Sequence, residues 1–148
     1  MTESRRSFVK RAAAGSAILA LNSFPGLSAA NYRRISRANN RISVAIIGCN
    51  SRGASMAGTF ARQPHTEVKY ICDVEENALI KGITAASGVT GKEPKAVKDF
   101  RNILHDKDLD AIYIAMPDHW HAPATIMGCA AGKHVYVEKP LSHNPEEG

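Results

Sequence analysis

Four short stretches of this chain carry residue types and spacings able to do chemistry. Gly48-Cys49-Asn50-Ser51-Arg52-Gly53 lies between an apolar run and a helical pattern. In that layout a first glycine makes a tight turn, a second lets backbone approach a pyrophosphate, and a third lets the helix pack on the strand. Gly48 and Gly53 hold the first and third places, and Asn50 holds the second. Asparagine tolerates positive φ better than most residues, at roughly 1–2 kcal/mol relative to glycine's freedom. The turn is therefore open to it, provided its side chain finds room beside a phosphate. Ser51 and Arg52 are further candidate phosphate contacts within the turn.

Asp73 lies 25 residues beyond Gly48, at the end of a second apolar run. A carboxylate there accepts hydrogen bonds from the adenosine ribose hydroxyls and repels the 2′-phosphate of NADP, which favours NAD. Arg52 pulls the other way, as a partner for a phosphate. Capping the helix that starts near Glu75 is the other role open to Asp73.

The remaining two stretches are Met116–His121 and Glu138-Lys139-Pro140. Asp118, His119 and His121 have the chemistry of metal ligands, but near-consecutive positions send side chains apart and no fourth ligand is evident. No metal site is expected. His65, His105, His134 and His143 fall in no metal-ligand or catalytic spacing in the sequence and read as surface or structural residues. The three cysteines, Cys49, Cys72 and Cys129, lack disulfide or zinc spacing and read as small buried residues.

The elements that must position these residues alternate along the chain. Strand-length apolar runs are expected at Ile42–Ile47, Val68–Cys72, Ala111–Ala115 and His134–Val137, with a weak extended segment at Ala96–Val97. Helices are expected at Ala54–Gln63, Glu75–Ser87, Phe100–His105 and Pro123–Ala131. Solid apolar strands alternating with helices imply right-handed crossovers and a doubly wound α/β domain with a parallel sheet. Ligands of such sheets bind at the carboxyl ends of the strands. All four chemically distinctive stretches fall at such ends.

The chain has 148 residues and a formal charge of +5. Residues 1–41 carry eight basic side chains and one acidic, whereas 42–148 carry eleven basic and thirteen acidic. The basicity thus belongs to the N-terminal segment, and a nucleic-acid footprint on the domain is not expected. Within that segment, Ser4-Arg5-Arg6-Ser7-Phe8-Val9-Lys10, the apolar Ala12–Leu21 and the small Ser28-Ala29-Ala30 have the order of a twin-arginine signal peptide. Residues 1–30 are expected to direct export, to a periplasmic or other extracytoplasmic location, and 31–41 to form a linker. The apolar run is too short for a stable membrane span.

Read together, Asp73, "AMPDHWHAPA" and "HVYVEKPLS" resemble the N-terminal half of the Gfo/Idh/MocA oxidoreductases, over about residues 41–148. The resemblance implies a Rossmann domain binding NAD, with NADP less favoured, and a substrate that is a sugar, cyclitol or glycoside. It implies that Lys139 is catalytic, near the reacting carbinol and the nicotinamide; a solvated loop lysine is the alternative. It places Pro117, Trp120, His121 and Glu138 around the cofactor, leaves room for a homo-oligomer, and makes Pro140 a position for a cis bond.

The family's second, substrate domain does not follow. Asn144, Pro145 and Glu147 make a helix start with nothing after it, so the sequence reads as a truncated domain 42–148. The competing expectation is a non-catalytic nucleotide- or partner-binding module.

Overall fold

The computed structural model describes residues 41–147. The export signal expected at 1–30, all but the last residue of the linker at 31–41, and Gly148 lie outside the described residues.

β1 (Ile42–Ile47) is the central strand of a five-stranded parallel sheet of order β3-β2-β1-β4-β5, with β2 at Thr66–Cys72, β3 at Lys95–Val97, β4 at Ala111–Ile114 and β5 at His134–Val137. A strand with helices over both faces must be apolar on both, and Val44 through Ile47 are all buried. Their side chains alternate. Val44 and Ile46 join Ala57, Leu79 and Tyr113 in one core layer, while Ala45 and Ile47 join Phe100, Leu109 and Ile112 in the other. Burial of each such isoleucine contributes about 1.5–3 kcal/mol.

Helix α1 (Arg52–Arg62) buries Gly53, Ala57, Gly58 and Ala61, a small-residue stripe at helical spacing. It begins two residues before the expected Ala54, because Ser51 takes the N-cap position and Gly53 packs inside the first turn. Helix α2 (Glu76–Thr90) runs past the expected Ser87. Gly88 has open space around it, and the left-handed Gly91 (φ 67°) ends the helix by donating its N–H to the Ser87 carbonyl at 2.8 Å.

The helix expected at Phe100–His105 is a single 3-10 turn, Phe100–Ile103, capped by the Asp99 carboxylate on the Arg101 N–H. Its segment is too short to propagate an α-helix. A second 3-10 turn, Asp118–Trp120, runs directly into α3 (His121–Ala130), so that Pro123 sits in the first turn, where a missing N–H is harmless. A final 3-10 turn spans Pro145–Glu147, the place of the expected helix start. Cys129 is exposed, unlike the buried Cys49 and Cys72. The core-facing positions of α3 are His121, Ala122, Ala124 and Gly128, and Cys129 lies off that stripe.

Candidate functional site

The carboxyl ends of β1 and β2 and the loop after β4 open onto a cavity of about 850 Å³, within the size range of ligand pockets. Gly48 and Gly53 are glycines by necessity. Gly48 has φ 85°, and a Cβ there would lie 2.5 Å from the Ala115 carbonyl oxygen. A Cβ on Gly53 would collide with the Gly48 carbonyl oxygen. The middle position needs no such freedom. His65 is the one non-glycine residue with positive φ among the described residues, so Asn50 completes the turn from the ordinary side of the Ramachandran map. Its tolerance of positive φ goes unused.

The turn delivers an anion-binding end. Ser51 makes no side-chain capping bond to α1, and no acidic residue lies in the first turn of that helix. No side chain of the helix's own first turn therefore offsets the partial positive charge of the helix end or caps its amide donors. Beside it, Asp73 Oδ2 accepts from the Cys49 N–H at 2.6 Å, and Oδ1 accepts from the Glu75 N–H at 3.0 Å. The helix cap is Glu75, whose carboxylate accepts from the Ala78 N–H at 2.8 Å. Asp73 thus holds the turn against β2, and each of its oxygens has capacity for a further donor. Burial, followed by the charge of Asp73, pushes the Cys49 thiol up to about 12, and burial does the same to Cys72, also to about 12. Neither offers a thiolate.

Gly48, Asn50, Ser51, Asp73, Pro117 and Trp120 all line the cavity. Trp120 is held edge-on to Phe100, with ring centroids 6.4 Å apart. Five further expected residues, Gly53, Arg52, Glu138, His121 and Lys139, lie outside the lining. Gly53 packs beneath the turn. Arg52 Nε donates to Glu138 Oε1 at 2.7 Å, and the hydroxyl of Tyr113 donates to the same oxygen. The Tyr113 hydroxyl and Arg52 hold the Glu138 carboxyl below the usual carboxylate range. Burial and the hydrogen bond to Glu138 push Tyr113 up to about 12. His121 is buried, 2% exposed, with Nδ1 2.6 Å from the Pro140 carbonyl oxygen and Nε2 2.7 Å from that of Met116. It ties the loop after β4 to the loop after β5.

Lys139 is exposed, one residue beyond Glu138, whose N–H donates to the Ile114 carbonyl at 2.9 Å. The Lys139–Pro140 bond is cis. No group of three histidine, cysteine or acidic residues suited to a metal ion occurs among the described residues, and no helix there is long and apolar enough to cross a membrane.

Met116 and His119, in the expected stretch after β4, also line the cavity, whereas sequence reasoning missed Asn77, Lys81, Lys98 and Arg101, which line it too. For Asn77 and Lys81 a signal existed: four residues apart at the start of α2, they share one helix face just past Asp73. The groups present fit a dinucleotide, with backbone donors for a pyrophosphate, a carboxylate for a ribose, and apolar and aromatic walls for rings.

A family model described as "Oxidoreductase family, NAD-binding Rossmann fold" matches residues 42–148. A glycosyl hydrolase family 109 protein of Saccharopolyspora erythraea is 34% identical over 114 residues, covering 74% of this chain and 25% of its own. An alpha-N-acetylgalactosaminidase of Shewanella oneidensis is 32% identical over 112 residues, covering 72% and 24%. The scyllo-inositol dehydrogenase of Lactobacillus casei, solved with NAD(H) and scyllo-inositol, superposes with TM-score 0.62 at 27% identity, over 72% of this chain and 30% of that one. A 3-ketoreductase from Actinomadura kijaniata, solved with NADP, gives TM-score 0.59 at 29% identity, over 73% and 33%. The chain spans about a quarter of the length of these curated relatives.

Proposed function

The chain belongs to the Gfo/Idh/MocA oxidoreductase family, and on that premise we propose that it is the NAD-binding half of an exported enzyme acting on a sugar, cyclitol or glycoside hydroxyl. One observation carries the reading. The uncapped start of α1 and the Asp73 carboxylate share the cavity rim, and Arg52 joins that same helix start to the residue before Lys139.

In this assignment the turn from Gly48 to Gly53 binds the pyrophosphate and Asp73 accepts from the adenosine ribose hydroxyls. The charge of Asp73 selects NAD over NADP. Bound NAD supplies the hydride acceptor or donor. Lys139, carried on the loop tied down by His121 and Glu138, places an ammonium beside the reacting hydroxyl, where it polarises the oxygen and tunes proton transfer. Relatives named as glycosyl hydrolases support the glycoside end of the substrate range. Export through the twin-arginine route is supported by the order of Arg5-Arg6, the apolar stretch and Ala29-Ala30, since that route carries proteins already folded around a cofactor.

Calorimetric titration with NAD and with NADP tests the core of the assignment. Saturable binding with NAD preferred is expected; a cooperatively folded protein that binds neither nucleotide defeats it.

A further inference from the structure

We propose that Lys81 and Asn50 form a side-chain clamp for the pyrophosphate, supplying the donors that a second glycine would have provided through close backbone approach. The proposal deepens the nucleotide-binding reading above and depends on it.

Lys81 Nζ donates to Asn50 Oδ1 at 2.7 Å. An ammonium only donates, so this bond fixes which end of the amide faces Lys81 and leaves the Asn50 NH₂ group directed elsewhere as a donor. Packing sets the juxtaposition. At Gly82, the next residue, a Cβ would come within 2.8 Å of Ile71 Cγ2 and 3.1 Å of Cys49 Cβ. This close approach seats the start of α2 against the glycine turn and brings Lys81 to its rim, where Lys81, Asn50 and Ser51 line the same cavity.

Charge distinguishes Lys81 from its neighbours. The other lysine and arginine side chains on the cavity lining are engaged by carboxylates, Lys98 with Glu76 at 3.2 Å and Arg101 with Asp99 at 2.7 Å. Arg52, in the turn itself, is held by Glu138. Among the described residues Lys81 has no carboxylate partner, and it sits beside a helix start that also carries positive partial charge without an acidic residue in its first turn. Two positive ends side by side repel unless an anion lies between them. A phosphate bridging the α1 amides, the Asn50 NH₂ and the Lys81 ammonium satisfies all three.

The test is calorimetric titration of the whole chain with NAD, with ADP-ribose and with adenosine, which lacks the pyrophosphate. Lys81→Gln is expected to weaken NAD and ADP-ribose roughly tenfold and adenosine by no more than about twofold. Lys81→Arg restores most of the loss, and the salt dependence of NAD binding becomes shallower in Lys81→Gln. In an Asn50→Gly background the loss from Lys81→Gln falls below about threefold. Equal weakening of all three ligands, or an unchanged NAD affinity, overturns the clamp, and a tenfold loss in both backgrounds removes Asn50 from it. If the wild-type protein melts cooperatively and binds no ligand of the three, the nucleotide reading itself fails, and the clamp with it.

Discussion

Arg52 Nε lies 2.7 Å from Glu138 Oε1, so the first residue of α1 and the residue before Lys139 are joined across the top of the sheet. The two ends of this contact are not equivalent, since the Arg52 side chain is 60% exposed and that of Glu138 16%. Glu138 also accepts from the hydroxyl of Tyr113. Glu138→Ala is therefore expected to lower the melting temperature more than Arg52→Ala, because it leaves a largely buried hydroxyl without its acceptor. Equal shifts in thermal melts would assign the whole contact to the ion pair.

Tyr113→Phe isolates that hydroxyl. The ring stays packed edge-on to Phe60 and stacked on Tyr136, at centroid distances of 5.7 and 5.3 Å. A loss of about 0.5–1.5 kcal/mol is expected, the net worth of one hydrogen bond. A denaturant midpoint that does not move would show that the hydroxyl contributes nothing there.

The glycines separate by position. Gly91 and Gly48 both have positive φ, but only Gly48 has backbone in the path of a Cβ. Gly91→Ala is expected to cost about 1–2 kcal/mol and to leave NAD binding intact. Gly48→Ala and Gly53→Ala are expected to abolish binding and to cost distinctly more. Melts paired with NAD titrations check this, and a Gly53→Ala protein with wild-type affinity would contradict the close approach of α1 to the turn.

Asp73→Ala removes the acceptor of the Cys49 N–H as well as the proposed ribose contact. It is expected to cost about 1–3 kcal/mol in stability and to weaken NAD far more than NADP. Equal losses for the two nucleotides would refute the ribose contact.

Asp106 supplies a pH signature remote from the cavity. The hydrogen bond from Lys69 holds its carboxyl at about 2, helped by the Asp108 N–H and the Tyr70 hydroxyl. Its folded value is depressed below the ordinary 3.8, so its stabilisation is complete above that ordinary value and is lost as pH falls toward 2. Asp106→Asn is expected to flatten the stability profile across this acid window. A variant whose profile keeps the wild-type slope would deny Asp106 that part.

His121→Ala removes the buried ring between the Met116 and Pro140 carbonyls, and the carbonyl to which its N–H donates loses that donor, at about 1–3 kcal/mol. A variant as stable as the wild type would mean that water replaces the ring at both.

The sequence by itself determined the sheet and the location of the chemistry. Ile42–Ile47, Val68–Cys72, Ala111–Ala115 and His134–Val137 are apolar over strand lengths, and in an alternating α/β chain that requires parallel crossovers. Gly48, Asp73, Pro117 and Lys139 then fall at one edge by topology alone. Element ends were less legible because caps and packing set them: Ser51 begins α1 without a side-chain bond, and the short segment after Asp99 closes as one 3-10 turn in place of the expected helix.

Only the tertiary structure decided who partners whom. Arg52 goes to Glu138, which is 86 positions away; His121 reaches Pro140, which is 19 positions on; Lys81 reaches back 31 positions to Asn50. None of these pairs has a local spacing that could announce it. Each exists because a parallel sheet brings the ends of distant strands to within a side chain's length, and steric exclusion at Gly48, Gly53 and Gly82 fixes how closely the helices approach that edge.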